Sequence, residues 1–302
     1  MFITKKLLLA MAGVAFATAL TAPKAQAGTL VFSGANTTDA TTALNDFRAA
    51  IGGANNVGAP RANGFRTIGW DGVRLDGTDA NPNTVVIDQG NTVAIPENRF
   101  QNQGALFADP YAVSGDGFAS VNPATAGQFP AFSPNNTFVM FDEDPNSFED
   151  NLIEQSFTFA GTTNAAGTRG FGAIFTDVEI AGTSSIEYFN GSRSLGRFFV
   201  EPGNSGDTQF LGVLFDQPIV TSVTLTVGTN ALFNFDGTNF RSFGPEDLAN
   251  GIDLAVTDDF VYAEPTTAAS VPEPTASLGI LIAGMVGATS LVKSKKNKAN
   301  VA

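Results

Sequence analysis

The chain has 302 residues, 43% of them hydrophobic, with 27 Phe against one Trp and three Tyr, and it contains neither Cys nor His. That composition supplies a sizeable core and excludes disulfide staples, a Ser-His-Asp triad, a cysteine nucleophile, a histidine base and a typical zinc site. The net charge is −13, but from Gly28 to Ser270 nine Arg and no Lys stand against 28 acids, a local net of −19; such a segment repels nucleic acid, favours cations, and has no Schiff-base or P-loop lysine.

At the N-terminus, Lys5 and Lys6 precede the apolar stretch Leu7 to Leu20, and Ala25-Gln26-Ala27 follows. This order predicts a signal peptide over 1–27, cut by signal peptidase after Ala27 to leave Gly28 first. As a helix the apolar stretch would rise only about 21 Å, short of the roughly 30 Å hydrocarbon core, which argues for cleavage over a retained anchor.

One short N-terminal helix is predicted. Asp39 or Thr38 caps it, Ala43, Leu44, Phe47 and Ile51 share a face, and Gly52-Gly53 stops it. Beyond it, Ile68 and Trp70 lie in a strand-like run, which assigns the single tryptophan to the core. From Asn91 to Pro134 five prolines, Pro96, Pro110, Pro123, Pro130 and Pro134, predict long loops.

The second half has the rhythm of strands and turns. Ser156 to Phe159 alternates, and in Thr221 to Val227 the residues Val223, Leu225 and Val227 point inward. Asn190-Gly191 predicts a hairpin between Ser184–Phe189 and Leu195–Val200. Further strands are expected at Phe171–Phe175, Gln209–Phe215 and Asp259–Tyr262. The sum is an all-β fold, a single jelly-roll-like β-sandwich over residues 28–264, followed by a linker at 265–270.

Three acidic clusters have hard oxygen ligands suited to calcium: Asp71, Asp76 and Asp79 in a Gly-rich loop, Asp142 with Asp144, and Asp258-Asp259. The first two are the calcium candidates. No EF-hand spacing is present, and the competing reading of Asp71-Gly72 and Asp76-Gly77 is plain turns. Paired carboxylates also suffice for glycoside hydrolysis, so a secreted carbohydrate-active enzyme is the alternative to a non-catalytic protein.

The C-terminus has three parts. Val271-Pro272-Glu273-Pro274 comes first, then uncharged residues through Val292, then Lys293, Lys295, Lys296 and Lys298. Residues 274–292 would extend about 28 Å as a helix, enough for one transmembrane span with the lysines on the cytoplasmic side. This order resembles the PEP-CTERM sorting signal of exopolysaccharide-producing bacteria. The resemblance implies recognition by a membrane-embedded processing enzyme, exosortase, at the motif formed by Val271, Pro272, Glu273 and Pro274. It implies a transient inner-membrane anchor, then a cell-surface or extracellular location with polysaccharide as a neighbour.

The middle resembles a recurring group of exported bacterial proteins through Gly69-Trp70-Asp71-Gly72-Val73, the segment Gly170 to Val178, Phe210-Leu211-Gly212-Val213, and Asp258 to Tyr262. That likeness implies one domain and carries over no catalytic residue.

Overall fold

The computed structural model describes residues 28–79, 84–144 and 150–270. The expected signal site at Ala25 and Ala27, the motif Val271, Pro272, Glu273 and Pro274, and the expected span all lie outside the described residues. Among those described, no helix is long and apolar enough to cross a membrane.

Among the described residues the fold is all-β with one α-helix, α1 (Thr37–Ile51). In chain order the strands are β1 (Thr29–Gly34), β2 (Phe65–Ile68), β3 (Val85–Asp88), β4 (Thr92–Ile95), β5 (Ala105–Phe107), β6 (Tyr111–Ser114), β7 (Thr137–Val139) and β8 (Leu152–Phe157). They continue as β9 (Gly170–Thr176), β10 (Ser185–Asn190), β11 (Arg193–Phe199), β12 (Thr208–Phe215), β13 (Ser222–Thr226), β14 (Phe233–Phe235), β15 (Phe240–Ser242) and β16 (Val256–Ala263). One sheet runs β1-β12-β9-β16-β7-β6-β4-β3 with β2 also on β16, a second runs β11-β10-β13-β8-β5, and β14 pairs β15. The ladders within them are antiparallel.

Strand periodicity divides the large sheet between two apolar clusters. Phe171, Ala173 and Phe175 of β9 and Leu211, Val213 and Phe215 of β12 face the main core, which also holds Ile153, Ile186, Val223 and Leu225 of the smaller sheet. Ile174, Phe210, Leu214 and Val261 face the other way, onto Ala40, Ala43, Leu44 and Phe47 of α1. A strand covered on both faces reads as a continuous apolar run, which is the form of Phe171–Phe175. Aromatic contacts join the sheets: Phe157 meets Phe171 at 6.1 Å and Tyr262 at 5.4 Å, Tyr188 meets Phe215 at 5.7 Å, and the Tyr188 hydroxyl donates to the Phe171 carbonyl at 2.8 Å. Trp70 is buried, stacked on Phe138 at 3.7 Å, with its indole N–H donated to the Asp258 carbonyl at 2.7 Å.

The glycines of the Gly170–Val178 and Phe210–Val213 segments have a packing reason. Gly172 and Gly212 are register partners on the helix side of the sheet. A Cβ on Gly172 would stand 2.7 Å from Cζ of Phe210, and one on Gly212 would stand 2.8 Å from the same atom and 3.2 Å from Cδ2 of Phe47. The Phe210 ring therefore lies flush on bare backbone, where it meets Phe47 at 5.7 Å.

Several expectations are corrected. The helix cap is Asn36 rather than Asp39 or Thr38: its Oδ1 accepts the amides of Thr38 and Asp39, both at 3.1 Å, and Asp39 accepts back from Asn36 Nδ2 at 2.7 Å. Gly52 ends the helix at φ +76°, as its sequence position predicts. The hairpin forms, but Asn190 pairs with Arg193, so its two-residue loop is Gly191-Ser192. The stretch 91–134 contains β4, β5 and β6 rather than loops alone, because its prolines fall just outside them, Pro96 after β4 and Pro110 before β6. Residues 265–270 are tied to the domain: Thr266 exchanges backbone hydrogen bonds with Gly167, and the Ala269 amide donates to the Pro218 carbonyl at 2.9 Å.

Candidate functional site

β9 ends at Thr176, and the next residue turns sharply. Asp177 has φ +70°, a left-handed conformation that Asp tolerates better than most residues, and it is wholly buried. Its Oδ1 accepts from the Gly206 amide and, at 3.2 Å, from the Ser205 hydroxyl, while Oδ2 accepts from the Gln128 side-chain amide. Glu179 follows two residues later. Glu246 arrives from the segment ahead of β16, fixed by the Leu254 amide donating to its Oε1 at 3.1 Å.

One carboxylate oxygen from each of Asp177, Glu179 and Glu246 lies within 4.8 Å of the others, and this is the one such group among the described residues. Both Glu179 oxygens are buried without a donor. One of them lies within 4.8 Å of an Asp177 oxygen, and two facing carboxylates have no donor between them unless one holds a proton. Asp253, also wholly buried, accepts at Oδ2 from the Ile180 amide at 2.9 Å and the Thr183 hydroxyl at 2.5 Å, which leaves Oδ1 unpartnered. The ion pairs found among the described residues use Arg48, Arg66, Arg99 and Arg197 on other acids.

Burial, with like charge beside it, raises Asp177, Glu179 and Glu246. Burial, then the charges of Asp177 and Glu246, push Glu179 up to about 8, with Asp253 adding to the effect. Burial pushes Glu246 to about 7 against the Leu254 amide, with Asp177 and Asp253 adding to the rise. Asp177 is raised by burial despite its three donors. Such a group either retains protons or receives a cation.

The residues singled out from the sequence lie elsewhere. Asp76 caps its own turn, accepting from the Thr78 amide at 2.9 Å and hydroxyl at 2.6 Å. Asp79 pairs with Arg99 at 3.0 Å and accepts from the Arg74 amide. Asp71 accepts from the Asn136 amide at 3.1 Å. These three do not assemble into a ligand group. Asp71 instead joins Asp258 and Asp259 around Ser133, whose hydroxyl is 3.3, 2.9 and 3.2 Å from their carboxylates and can donate to one of them at a time. A bulge in β16 between Thr257 and Phe260 places Asp258 and Asp259 there. Burial, then the Asp259 charge, push Asp258 up to about 7. Asp142 bridges to Asn234, and its Oδ1 accepts the Asp144 amide at 2.7 Å in an Asx turn, while its Oδ2 is buried and unpartnered.

The sequence reading missed Asp177, Glu179, Glu246 and Asp253. The usable signal was Asp177-Val178-Glu179 just after the apolar run Phe171–Phe175, where an i, i+2 pair of acids interrupts a buried segment. The surface hollows beside Pro96 and Pro110 and beside Glu154 and Thr224 contain none of the four acids. No family model, curated protein or solved structure matches this chain.

Proposed function

We propose that this is an exported, non-catalytic β-sandwich of jelly-roll type, sorted to the cell surface or extracellular matrix by an exosortase-type enzyme, with exopolysaccharide as the partner to test. The observation that carries the reading is the tail: Val271-Pro272-Glu273-Pro274, an uncharged 274–292, and a lysine-rich finish, in that order. The aromatic contacts of Phe157 and Tyr188 across to the larger sheet support two layers packed face to face.

The chain ends are compatible with processing. Strand β1 opens at Thr29, next to the expected new terminus. The Gly28 nitrogen is 2.8 Å from Oδ2 of Asp216, where a freed ammonium would gain an ion pair. At the other end, Ala269 is hydrogen-bonded to the body two residues before the motif.

A carbohydrate-active enzyme is the weaker reading. Glycoside hydrolysis needs two carboxyl groups flanking an open cleft, about 5–9.5 Å apart. The acids brought together here face one another within a closed group, one oxygen of each within 4.8 Å of the others, and both Glu179 oxygens are closed off from solvent.

The test is the intact mass of the protein from a host with and without the processing enzyme. A mature N-terminus at Gly28 and a full-length tail retained only in the deletion strain are expected. Identical mass and release in both strains would defeat the sorting assignment, and reducing-end release from a polysaccharide by the purified protein would defeat the non-catalytic one.

A further inference from the structure

We propose that Asp177, Glu179 and Glu246, with Asp253 and Gln128 beside them, form a calcium site that ties the end of β9 to the segment entering β16. The geometry fits the ion. An ion with oxygen ligands at about 2.3–2.6 Å, as calcium has, bridges oxygens up to roughly 4.6–5.2 Å apart, and it accepts irregular ligand sets where magnesium demands a near-ideal octahedron at about 2.0–2.1 Å. The three carboxylate oxygens lie within 4.8 Å of one another.

Independent of that spacing, wholly buried Asp253 holds Oδ1 without a partner, and its charge acts on both Glu179 and Glu246. Both Glu179 oxygens are likewise buried and undonated. Buried oxygens left without a donor cost free energy that a cation would recover. The side chains are hard oxygen donors, the set calcium takes and zinc or copper does not prefer. Asp177 is already oriented by Gly206, Ser205 and Gln128, so part of the shell is held in place before the ion arrives.

The ion would be structural. It would cross-link segments about 70 positions apart in a domain of strong negative charge, and it would stabilise the folded state by binding it alone. The test is thermal unfolding of the full chain in calcium chloride, magnesium chloride, chelator, and sodium chloride at matched ionic strength. Calcium at a hundredfold excess over Kd should raise Tm by about 5–10 °C, from about 2.7 kcal/mol of linkage. Magnesium should give less than half of that, and sodium little.

Glu179→Gln combined with Glu246→Gln should abolish the calcium response and lower calcium affinity at least tenfold by calorimetry. In chelator this variant should melt at or above the parent, because the amides cannot take on the repelling charge that these carboxyls carry when ionised, so a lost response would not reflect misfolding. An equal calcium shift in parent and variant, a sodium shift matching the calcium one, or no shift in the parent would each overturn the site.

Discussion

Glu264→Gln should destabilise the domain more than any other single exchange of a carboxylate for an amide. The Glu264 side chain is 1% exposed and that of Arg66 is fully covered, and they are joined through Nη2 to Oε1 at 2.7 Å and Nε to Oε2 at 2.8 Å. Glu264 also accepts from Asn56 Nδ2 at 2.8 Å and the Arg61 amide at 2.9 Å, while Arg66 donates to the carbonyls of Gly58 and Ala59. Gln at 264 leaves a buried guanidinium without its counter-charge and turns a donor toward other donors. Breaking one side of a buried pair costs about 3–5 kcal/mol. For a domain of this size that lowers Tm by about 6–20 °C. Urea unfolding followed by the fluorescence of Trp70 reads the change directly, since the chain has one Trp and it is buried. Adding Arg66→Met should recover most of the loss, because the orphaned charge is then removed. A Glu264→Gln protein within about 1 kcal/mol of the parent would show that water reaches the pair and that the argument from burial is mistaken.

Gly212→Ala should cost about 1–3 kcal/mol by overpacking against Phe210, and Phe210→Leu in the same chain should return part of it; a neutral Gly212→Ala in urea unfolding would refute the close approach. Stability in chelator should fall as pH rises from about 5 to 8. Asp258, Glu246 and Glu179 have folded pKa values of about 7, 7 and 8, raised above their unfolded values, so their contribution is complete below about pH 4 and is lost as pH climbs through those values. Each adds at most about 1.4 kcal/mol per pH unit, and discounting the partly exposed Glu179 and Glu246 leaves a fall of about 2–4 kcal/mol across that range. Chemical unfolding at a series of pH values would show it, and stability that rises with pH would refute it.

The elements legible in the sequence were those with water on one side. Val223 and Leu225 alternate with Ser222, Thr224 and Thr226 because β13 exposes one face in part, and Gly191 marked a turn that needs positive φ, here +57°. β4, β5 and β6 were hidden because three or four residues give no period to count, and the prolines around them argued for loops. The acidic group was hidden for another reason. Asp177 and Glu179 are near neighbours, but Glu246 and Asp253 reach them only through the crossing of β16 beside β9, and spacing along the chain carries no trace of that crossing. The acidic loops that did stand out, at Asp71 and Asp76, were conspicuous because exposed turns use Asp freely.

The Arg66–Glu264 clasp has a mechanical consequence. β16 lies in the interior of its sheet, laddered to β9 on one side and to β7 and β2 on the other. Glu264, at its exit, is bonded through its amide to Gly64 and through its side chain to Arg66 of β2. A pull applied to the chain beyond this point and along the strand would first have to free Thr266 and Ala269, and would then load many ladder hydrogen bonds in shear, because those bonds lie across the strand direction. Tension entering at this end would be borne by the middle of the sheet at once rather than peeled from an edge one pair at a time.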